Sequence, residues 1–486
     1  MPTLNVKAAD ETAEIFIVTT DFRLVGRGIH QLTETLEAGI YKVRALFGRG
    51  EWQKIVMLRS DAQIDIPRIE FGSAAPLADT NRTHETHMYA AETAEPPEAP
   101  APPPPTGGLM SLRKPSLAPS ATLVFMARWF TPDGGGAETL RDPATGAMLA
   151  TPGGLRLVSL HDAESADSRI IDIDPRRRLG NQVSYFTGDQ GGDRFSGASL
   201  TAAPGVYTLR LNDGDGILEQ TITLIAGYRT HVFALYEPPI HSYRSDEPVT
   251  PKRLVDVAIH ISRNGLSMGD EAARLSDAAR LALADERSTA VNDLLRFVGG
   301  KFDSPMLGLY GAHLLHLQKN KEASTAEIER TVQYDDQLFQ QVVENLVALF
   351  GYDHPDIIAL RTGYHPTAND PLQTAPMLWQ SWKLLLDATM TSPELIEPSL
   401  WRRTSLRSHL RPFFAWHVPH GGGERVMQRG IDLARAVTNA AVEFEALYPS
   451  AAGLREGAAP ESAREDFIRS CIDQFEAPRA MIERIL

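Results

Sequence analysis

The stretch "NGLSMGD" carries the residues with the clearest potential for covalent chemistry. Gly265, Ser267 and Gly269 match G-x-S-x-G, which places a serine nucleophile on a tight turn between a strand and a helix. A strand-like run precedes this match and a helical pattern follows it. The stretch "HVPHGGG" adds His420 as a general base, beside glycines that could form an oxyanion hole. Acyl transfer by Ser267 is therefore one hypothesis, although His417 and His313 are equally available as bases.

The order of these motifs favours a different interpretation. In a hydrolase the oxyanion-hole glycines precede the serine, whereas Gly421 follows Ser267 by about 150 residues. The residues after Ser267 also lack the strand–helix alternation of a hydrolase sheet. We therefore interpret residues 264–270 as a joint between a strand and a helix, with Ser267 or Asp270 as the helix cap. On this interpretation the chain has no catalytic residue.

A second candidate site combines arginines with aromatic residues in "WRRTSLRSHLRPFFAWH". Its members are Trp401, Arg402, Arg403, Arg407, Arg411, Phe413, Phe414 and Trp416. Such a mixture can anchor a protein interface, where tryptophan and arginine are enriched. It can also bind nucleic acid by charge and stacking, or it can be ordinary core packing beside a solvated basic face. The sequence alone leaves these three possibilities open.

Composition narrows the classes of partner and cofactor. The formal charge of −14 disfavours nucleic acid as the main partner, because phosphate binding needs a concentrated positive field. The single cysteine, Cys471, can form neither an intrachain disulfide nor a thiolate zinc cluster. The histidine pairs His84/His87 and His313/His316 lack further ligands, and no phosphate-binding glycine loop is present. We expect no metal, no cofactor, no membrane-spanning segment and a cytoplasmic location.

The sequence also repeats itself, which points to architecture. "LEAGIYKVRALFGRGEWQKIVML" begins at Leu36, and "TAAPGVYTLRLNDGDGILEQTITLI" begins at Thr201. Each copy has Gly-x-Tyr, an alternating run, a glycine-containing turn and a second alternating run. Two such runs joined by a short turn predict a β-hairpin. Because isolated hairpins are marginally stable, each copy should lie within a larger sheet.

The repeated hairpin resembles PEGA-type and related immunoglobulin-like repeats. This resemblance implies β-sandwich modules used for binding or spacing, without an active site. The stretch "KFDSPMLGLYGAHLL" resembles segments that accompany peptidase or NTPase modules in bacterial conflict systems. That second resemblance assigns no active-site residue.

From these patterns we predict β-sandwich-like domains at 1–72 and 120–240, separated by a disordered proline-rich linker at 73–119. A connector at 241–267 then leads to an all-α bundle or short solenoid at 268–486. In this helical part "SPMLGLYGAHLLHL" and "APMLWQSWKLLLDA" share apolar positions and predict two related helices. The expected function is a non-enzymatic adaptor or scaffold that binds a protein partner, or a substrate of a neighbouring protease cutting within the linker.

Overall fold

The structure is a computed structural model of the chain. It describes residues 1–10, 13–47, 50–78, 85–94, 120–129, 156–159, 170–172, 183–190, 193–212, 217–236, 254–263, 267–269, 271–286, 304–324, 336–362, 371–418, 424–454 and 460–486. Strands dominate the N-terminal half and helices the C-terminal half. The fold is therefore of a mixed β plus α class.

The N-terminal part is one seven-stranded sheet. Its strands are β1 Thr3–Ala8, β2 Glu14–Thr19, β3 Leu24–Ile29, β4 Gln31–Thr35, β5 Gly39–Phe47, β6 Gly50–Leu58 and β7 Ala62–Ile66. Their order across the sheet is β6-β5-β2-β3-β4-β1-β7. Side chains alternate between the two faces of each strand. In β5, Tyr41, Val43 and Ala45 are therefore buried in the core, while Lys42 and Arg44 lie on the opposite face.

Two five-stranded sheets follow. Their strands are β8 Ala121–Trp129, β9 Arg156–Ser159, β10 Ile170–Asp172, β11 Val183–Gln190, β12 Asp193–Ala202, β13 Gly205–Asn212, β14 Ile217–Leu224, β15 Arg229–Tyr236, β16 Leu254–Ser262 and β17 Ala415–Val418. One sheet has the order β10-β9-β13-β14-β17 and the other β11-β12-β8-β15-β16. Phe125 of β8 and Leu209 of β13 belong to the same hydrophobic cluster, so the two sheets share a core.

Both predicted hairpins are confirmed, and they match in detail. The β5–β6 and β13–β14 ladders pair Tyr41 with Val56 and Tyr207 with Ile222, so one offset of 166 residues relates both strands of each copy. Each tyrosine hydroxyl donates to the carbonyl four residues upstream, at 2.9 Å for Tyr41 and 2.6 Å for Tyr207. The Gly-x-Tyr motif therefore anchors the start of each hairpin in the same way.

Helices provide most of the C-terminal half. Their bounds are α1 Glu85–Thr93, α2 Glu271–Ala284, α3 Pro305–Ser324, α4 Asp336–Phe350, α5 Pro355–Thr362, α6 Trp379–Ala388, α7 Pro398–Thr404, α8 Glu424–Leu447, α9 Glu461–Phe475 and α10 Arg479–Glu483, with a 3-10 turn at Pro449–Ala451. The two predicted related helices differ at their starts. Helix α3 begins at Pro305, whereas Leu378 is still extended and α6 begins one residue later.

The sheets do not end at the predicted domain boundaries. The region 241–267, predicted as a connector, contains β16, which pairs with β15 in antiparallel register. The region 268–486, predicted as all-helical, contains β17, which pairs with β14. A four-residue strand is too short to show a period of its own, so the helical pattern around it concealed β17.

The beginning of the predicted disordered linker is a packed strap. The Arg128 guanidinium donates to the carbonyls of Ser73, Ala74 and Ala75 at 2.7 to 2.9 Å. Arg128 is buried on β8, so three carbonyls satisfy a charge that would otherwise be costly inside the protein. The linker also contains α1. The proline run at 102–105 lies outside the described residues.

A buried ion pair joins the first sheet to helix α2. The Arg274 guanidinium contacts the Asp10 carboxylate at 2.9 Å and donates to the Ile69 carbonyl at 3.0 Å. The same guanidinium lies 4.6 Å from the Phe47 ring centroid and 5.1 Å from that of Phe71. The first sheet is therefore docked on the second part of the chain by polar and apolar contacts together.

Candidate functional site

The structure places Ser267 on the surface, with a carboxylate as its partner. Its hydroxyl donates to Glu92 Oε1 at 3.2 Å, and the Met268 N–H donates to the same oxygen at 2.6 Å. Glu92 lies in α1, so this contact ties α1 to the segment that precedes α2. No described histidine contacts the Ser267 hydroxyl, and His420 lies outside the described residues. The geometry is that of a structural joint.

We expect an active-site serine probe to leave Ser267 unmodified. Activation needs a histidine that accepts the hydroxyl proton and N–H donors that stabilise the oxyanion, whereas Ser267 is exposed and bonded to Glu92. The test is incubation of the full chain with a fluorophosphonate, followed by peptide mass spectrometry, with a Ser267→Ala variant as the control. Stoichiometric phosphonylation of Ser267 would restore the hydrolase hypothesis.

The aromatic residues of the second candidate site form core. Trp401, Phe413, Phe414 and Trp416 are each at most 2% exposed. Phe414 stacks on Trp382 with ring centroids 4.6 Å apart. The Trp416 indole N–H donates to Glu219 Oε2 on β14 at 2.8 Å, which explains why Trp416 turns inward with β17. These rings therefore present no stacking surface to a nucleic acid or to a partner.

The arginines of that stretch divide into two kinds. Arg402 and Arg403 are exposed. Arg407 and Arg411 lie over the Trp379 ring, with guanidinium carbons 5.0 and 4.4 Å from its centroid. Arg407 also forms an ion pair with Glu476, and Arg411 lies 3.6 Å from Glu286. Arg407 and Arg411 therefore hold elements of the C-terminal half together, a role that the sequence pattern alone did not distinguish from partner binding.

A buried ion cluster that the sequence analysis missed centres on Arg280. Its guanidinium contacts Asp277 at 2.6 Å and Asp256 at 2.7 Å, and it donates to the Val257 carbonyl at 2.9 Å. Burial opposes ionisation of Asp277, but the adjacent Arg280 holds the pKa of its carboxyl below the usual value. His260 lies 3.9 Å from Asp277, and burial lowers the pKa of His260 to about 4. The cluster ties β16 to α2.

A second buried network brings serine, histidine and aspartate together. The Ser381 hydroxyl donates to Asp356 Oδ1 at 2.6 Å and lies 2.8 Å from His313 Nε2. Asp356 also accepts the backbone N–H groups of Met377 and Leu378, at 2.8 and 3.0 Å. Since the single Ser381 proton goes to Asp356, the His313 ring must donate, and it cannot act as a base toward this serine.

The network continues to β14. His354 Nδ1 accepts the Asp356 N–H at 3.2 Å, so its Nε2 carries the proton and donates to Thr223 Oγ1 at 2.6 Å. Asp356 and Ser381 have no exposed surface, and burial raises the pKa of Asp356 to about 6. With no solvent access at these atoms, the arrangement joins α3, α5 and α6 to the sheet and offers a substrate no entry.

A group of exposed apolar side chains lies on the first hairpin. We call it the hairpin face, defined by the outward side chains of Ile40, Lys42, Gln53, Ile55 and Met57. Ile55 is 73% exposed, Met57 57% and Ile40 45%. These three lie together, because Ile40 pairs with Met57 and Lys42 pairs with Ile55 across β5 and β6.

More apolar surface extends the hairpin face across the sheet. Leu24 on β3 pairs with Val18, which pairs in turn with Lys42 on β5. Leu24 is 52% exposed, and Phe22 in the preceding turn is 82% exposed. Phe22 also has a positive φ of 63°, a conformation that bulky side chains rarely adopt. Exposed apolar residues grouped on one face of a sheet are typical of interaction surfaces in folded proteins.

The second hairpin has the same face, but there it is covered. Thr221 and Thr223 stand at the positions of Ile55 and Met57, and they are 0% and 3% exposed. Thr221 donates to the Ala375 carbonyl at 2.8 Å, and Thr223 contacts His354. Strand β17 completes the edge beside β14. One hairpin is thus buried by the C-terminal half, while the other is open.

The described part of the chain shows neither a membrane span nor a metal site. No helix in it is long and apolar enough to cross a membrane. No group of three or more metal-ligating side chains in it could hold an ion. Comparison of the whole chain with known protein families, with curated proteins and with solved structures finds no match.

Proposed function

We propose that this chain is a non-enzymatic protein-interaction protein, an adaptor or scaffold, that binds a protein partner through the hairpin face. The single observation that carries the proposal is the exposure of Ile40, Ile55 and Met57 as neighbours on one sheet face. Burying one such side chain stabilises a complex by about 1.5–3 kcal/mol. A partner is the simplest way for these residues to gain that energy.

The chemistry-bearing groups support the same function. Ser267 is bonded to Glu92, Arg280 to two carboxylates, and Ser381 to Asp356. Each of these groups stabilises a junction between elements. Their hydrogen-bond and ion-pair partners lie within the fold, which suits structural groups in a scaffold.

The proposal includes the arrangement of the sheets and helices. We infer that the two five-stranded sheets stack as a sandwich, that the first sheet is a related module, and that the helices form a bundle beside them. The matching Tyr41 and Tyr207 hydroxyl bonds support the kinship of the modules, since a tyrosine bonded to upstream backbone is typical of immunoglobulin-like sandwiches. The PEGA-type resemblance, a cytoplasmic location and a role in a bacterial multi-protein system are proposed with it.

The experiment is quantitative co-purification of the full chain from its native cells. We expect one protein partner at near-stoichiometric amount, retained after a wash in moderate salt because apolar burial resists screening. Absence of any protein partner at that level would overturn the proposed function. A tagged chain expressed in unrelated cells serves as the control for adventitious binders.

A further inference from the structure

Among the strands that the structure describes, β6 stands at an edge of its sheet with only one neighbour. It pairs with β5 and stands first in the strand order β6-β5-β2-β3-β4-β1-β7. It runs for nine residues, "GEWQKIVML", with no proline and with two charged residues, Glu51 and Lys54. Proteins usually blunt such edges with charge, proline or short length, because the unpaired N–H and C=O groups accept another strand. Strand β6 carries charge at two positions, but neither proline nor short length protects it.

In the second hairpin the equivalent edge strand, β14, is paired with a further strand. Strand β17 pairs with β14 in antiparallel register, with Trp416 opposite Glu219 and Ala415 opposite Gln220. Strand β17 comes from almost 200 residues further along the chain, and its Trp416 indole N–H donates a hydrogen bond to Glu219. By the constant offset, Gln53 and Lys54 are the equivalents of Glu219 and Gln220. A strand that paired with β6 would therefore occupy the place that β17 occupies beside β14.

The open hairpin carries more apolar side chains than the covered hairpin at the equivalent positions. The covered copy has Thr221 and Thr223, which make hydrogen bonds to the C-terminal half. The open copy has Ile55 and Met57, which are larger and wholly apolar. A face that stays in water has no physical reason to carry the more apolar pair. A face that is covered by another molecule has such a reason, because burial of apolar side chains stabilises the complex.

Charge indicates the character of that molecule. Among the described residues neither Lys42 nor Lys54 forms an ion pair, whereas Arg44 is paired with Glu51 at 2.7 Å. On a strand laid beside β6, side chains alternate between the face of Ile55 and Met57 and the face of Lys54. Apolar residues would contact the first face, and acidic residues would pair across from Lys54.

We infer that β6 binds an extended segment of a different protein, added antiparallel as β17 is added to β14, in which apolar residues alternate with aspartate or glutamate. This inference rests on the proposed function and specifies its mode of binding. A second copy of the chain suits the surface less well, because it would bring two sets of Lys42 and Lys54 together. A lipid surface would leave the backbone groups of β6 unpaired.

The first test compares two variants of the full chain in the co-purification experiment. Ile55→Thr combined with Met57→Thr gives the first hairpin the residues of the second while keeping strand propensity. We expect partner binding to fall by about tenfold or more, because two buried apolar contacts are lost. Leu447→Thr removes an equally exposed apolar side chain at the end of α8 and should leave binding unchanged.

The second test locates the contact. With Ile55 replaced by p-benzoylphenylalanine, photolysis in native cells should attach position 55 to an alternating apolar–acidic segment of the partner, while the same group at Leu447 should not. Amide exchange along β6 should slow in the purified complex. This readout stands even if the double threonine variant fails to fold.

The outcomes separate the two levels of the proposal. A partner that co-purifies equally with the threonine variant, or that crosslinks elsewhere, overturns strand addition and leaves the adaptor function in place. Attachment of position 55 to a second copy of the chain, to lipid or to nothing also overturns strand addition. Absence of any partner of the unaltered chain overturns the adaptor function itself.

Discussion

Between pH 6.5 and about pH 4.5 the free energy of unfolding should fall steeply, because four buried histidines are held neutral in the folded protein. Burial lowers the pKa of His231, His313 and His354 to about 3 each and that of His260 to about 4. In the unfolded chain they titrate near their ordinary value of about 6.5. Unfolding therefore takes up protons in this window, and acid favours the unfolded state.

The size of the effect follows from the number of protons. Each histidine contributes about 1.4 kcal/mol per pH unit below its unfolded pKa, until the pH reaches its folded pKa. Asp356 acts in the opposite direction, since its folded pKa of about 6 lies above its unfolded value and it releases a proton on unfolding. The net slope is about 4 kcal/mol per pH unit, against a typical total stability of about 5–15 kcal/mol.

The measurement is urea unfolding followed by circular dichroism at half-unit steps from pH 7.5 to pH 4.5. His260→Phe is the matched variant, because neither ring nitrogen of His260 has a hydrogen-bond partner among the described residues and the ring packs edge-on against Phe233. We expect this variant to reduce the slope by about 1.4 kcal/mol per pH unit. An unchanged slope would mean that His260 titrates alike in both states.

Replacement of Arg280 should strongly destabilise the folded protein. Arg280→Met leaves Asp277 and Asp256 without their counter-charge, and Asp277 is fully buried. Removing one member of a buried ion cluster typically costs about 3–5 kcal/mol. Unfolding at pH 7 should therefore shift to markedly lower urea, with the loss concentrated at the contact between β16 and α2.

Two controls make this expectation specific. Arg44→Met breaks the surface ion pair between Arg44 and Glu51, in which the two side chains are 45% and 38% exposed. This substitution should lower the free energy of unfolding by less than about 1 kcal/mol. Adding Asp277→Asn to Arg280→Met should recover part of the loss, because one stranded charge is removed. A loss no larger than that of Arg44→Met would show that Arg280 does not stabilise the fold.

The apolar pattern predicted the elements that depend on neighbours in sequence. Both hairpins lie where Gly-x-Tyr and the alternating runs put them, since turn and strand pairing are local. Helix α4 lies within the region predicted as helical, and it ends before Gly351, which has a positive φ of 93°. Such features follow from periodicity and from conformational preferences of single residues.

Functional residues were harder to predict because their partners lie far away in sequence. The Arg and aromatic stretch at 401–417 resembled a binding surface, but Trp416 is turned inward by Glu219, almost 200 residues earlier. The G-x-S-x-G match suggested a nucleophile, but the Ser267 hydroxyl donates a hydrogen bond to Glu92 in the predicted linker. Neither partner leaves a local signal near the residue that it contacts.

The sequence by itself determined the two hairpins and the helical character of most of the C-terminal half, because each is specified by residues within a few positions of one another. The tertiary structure alone decided which hairpin is covered and which is open. That difference arises from pairings such as β14 with β17 and Asp10 with Arg274, which form only when distant segments meet. Exposure of Ile55 beside burial of Thr221 is a property of the assembled chain.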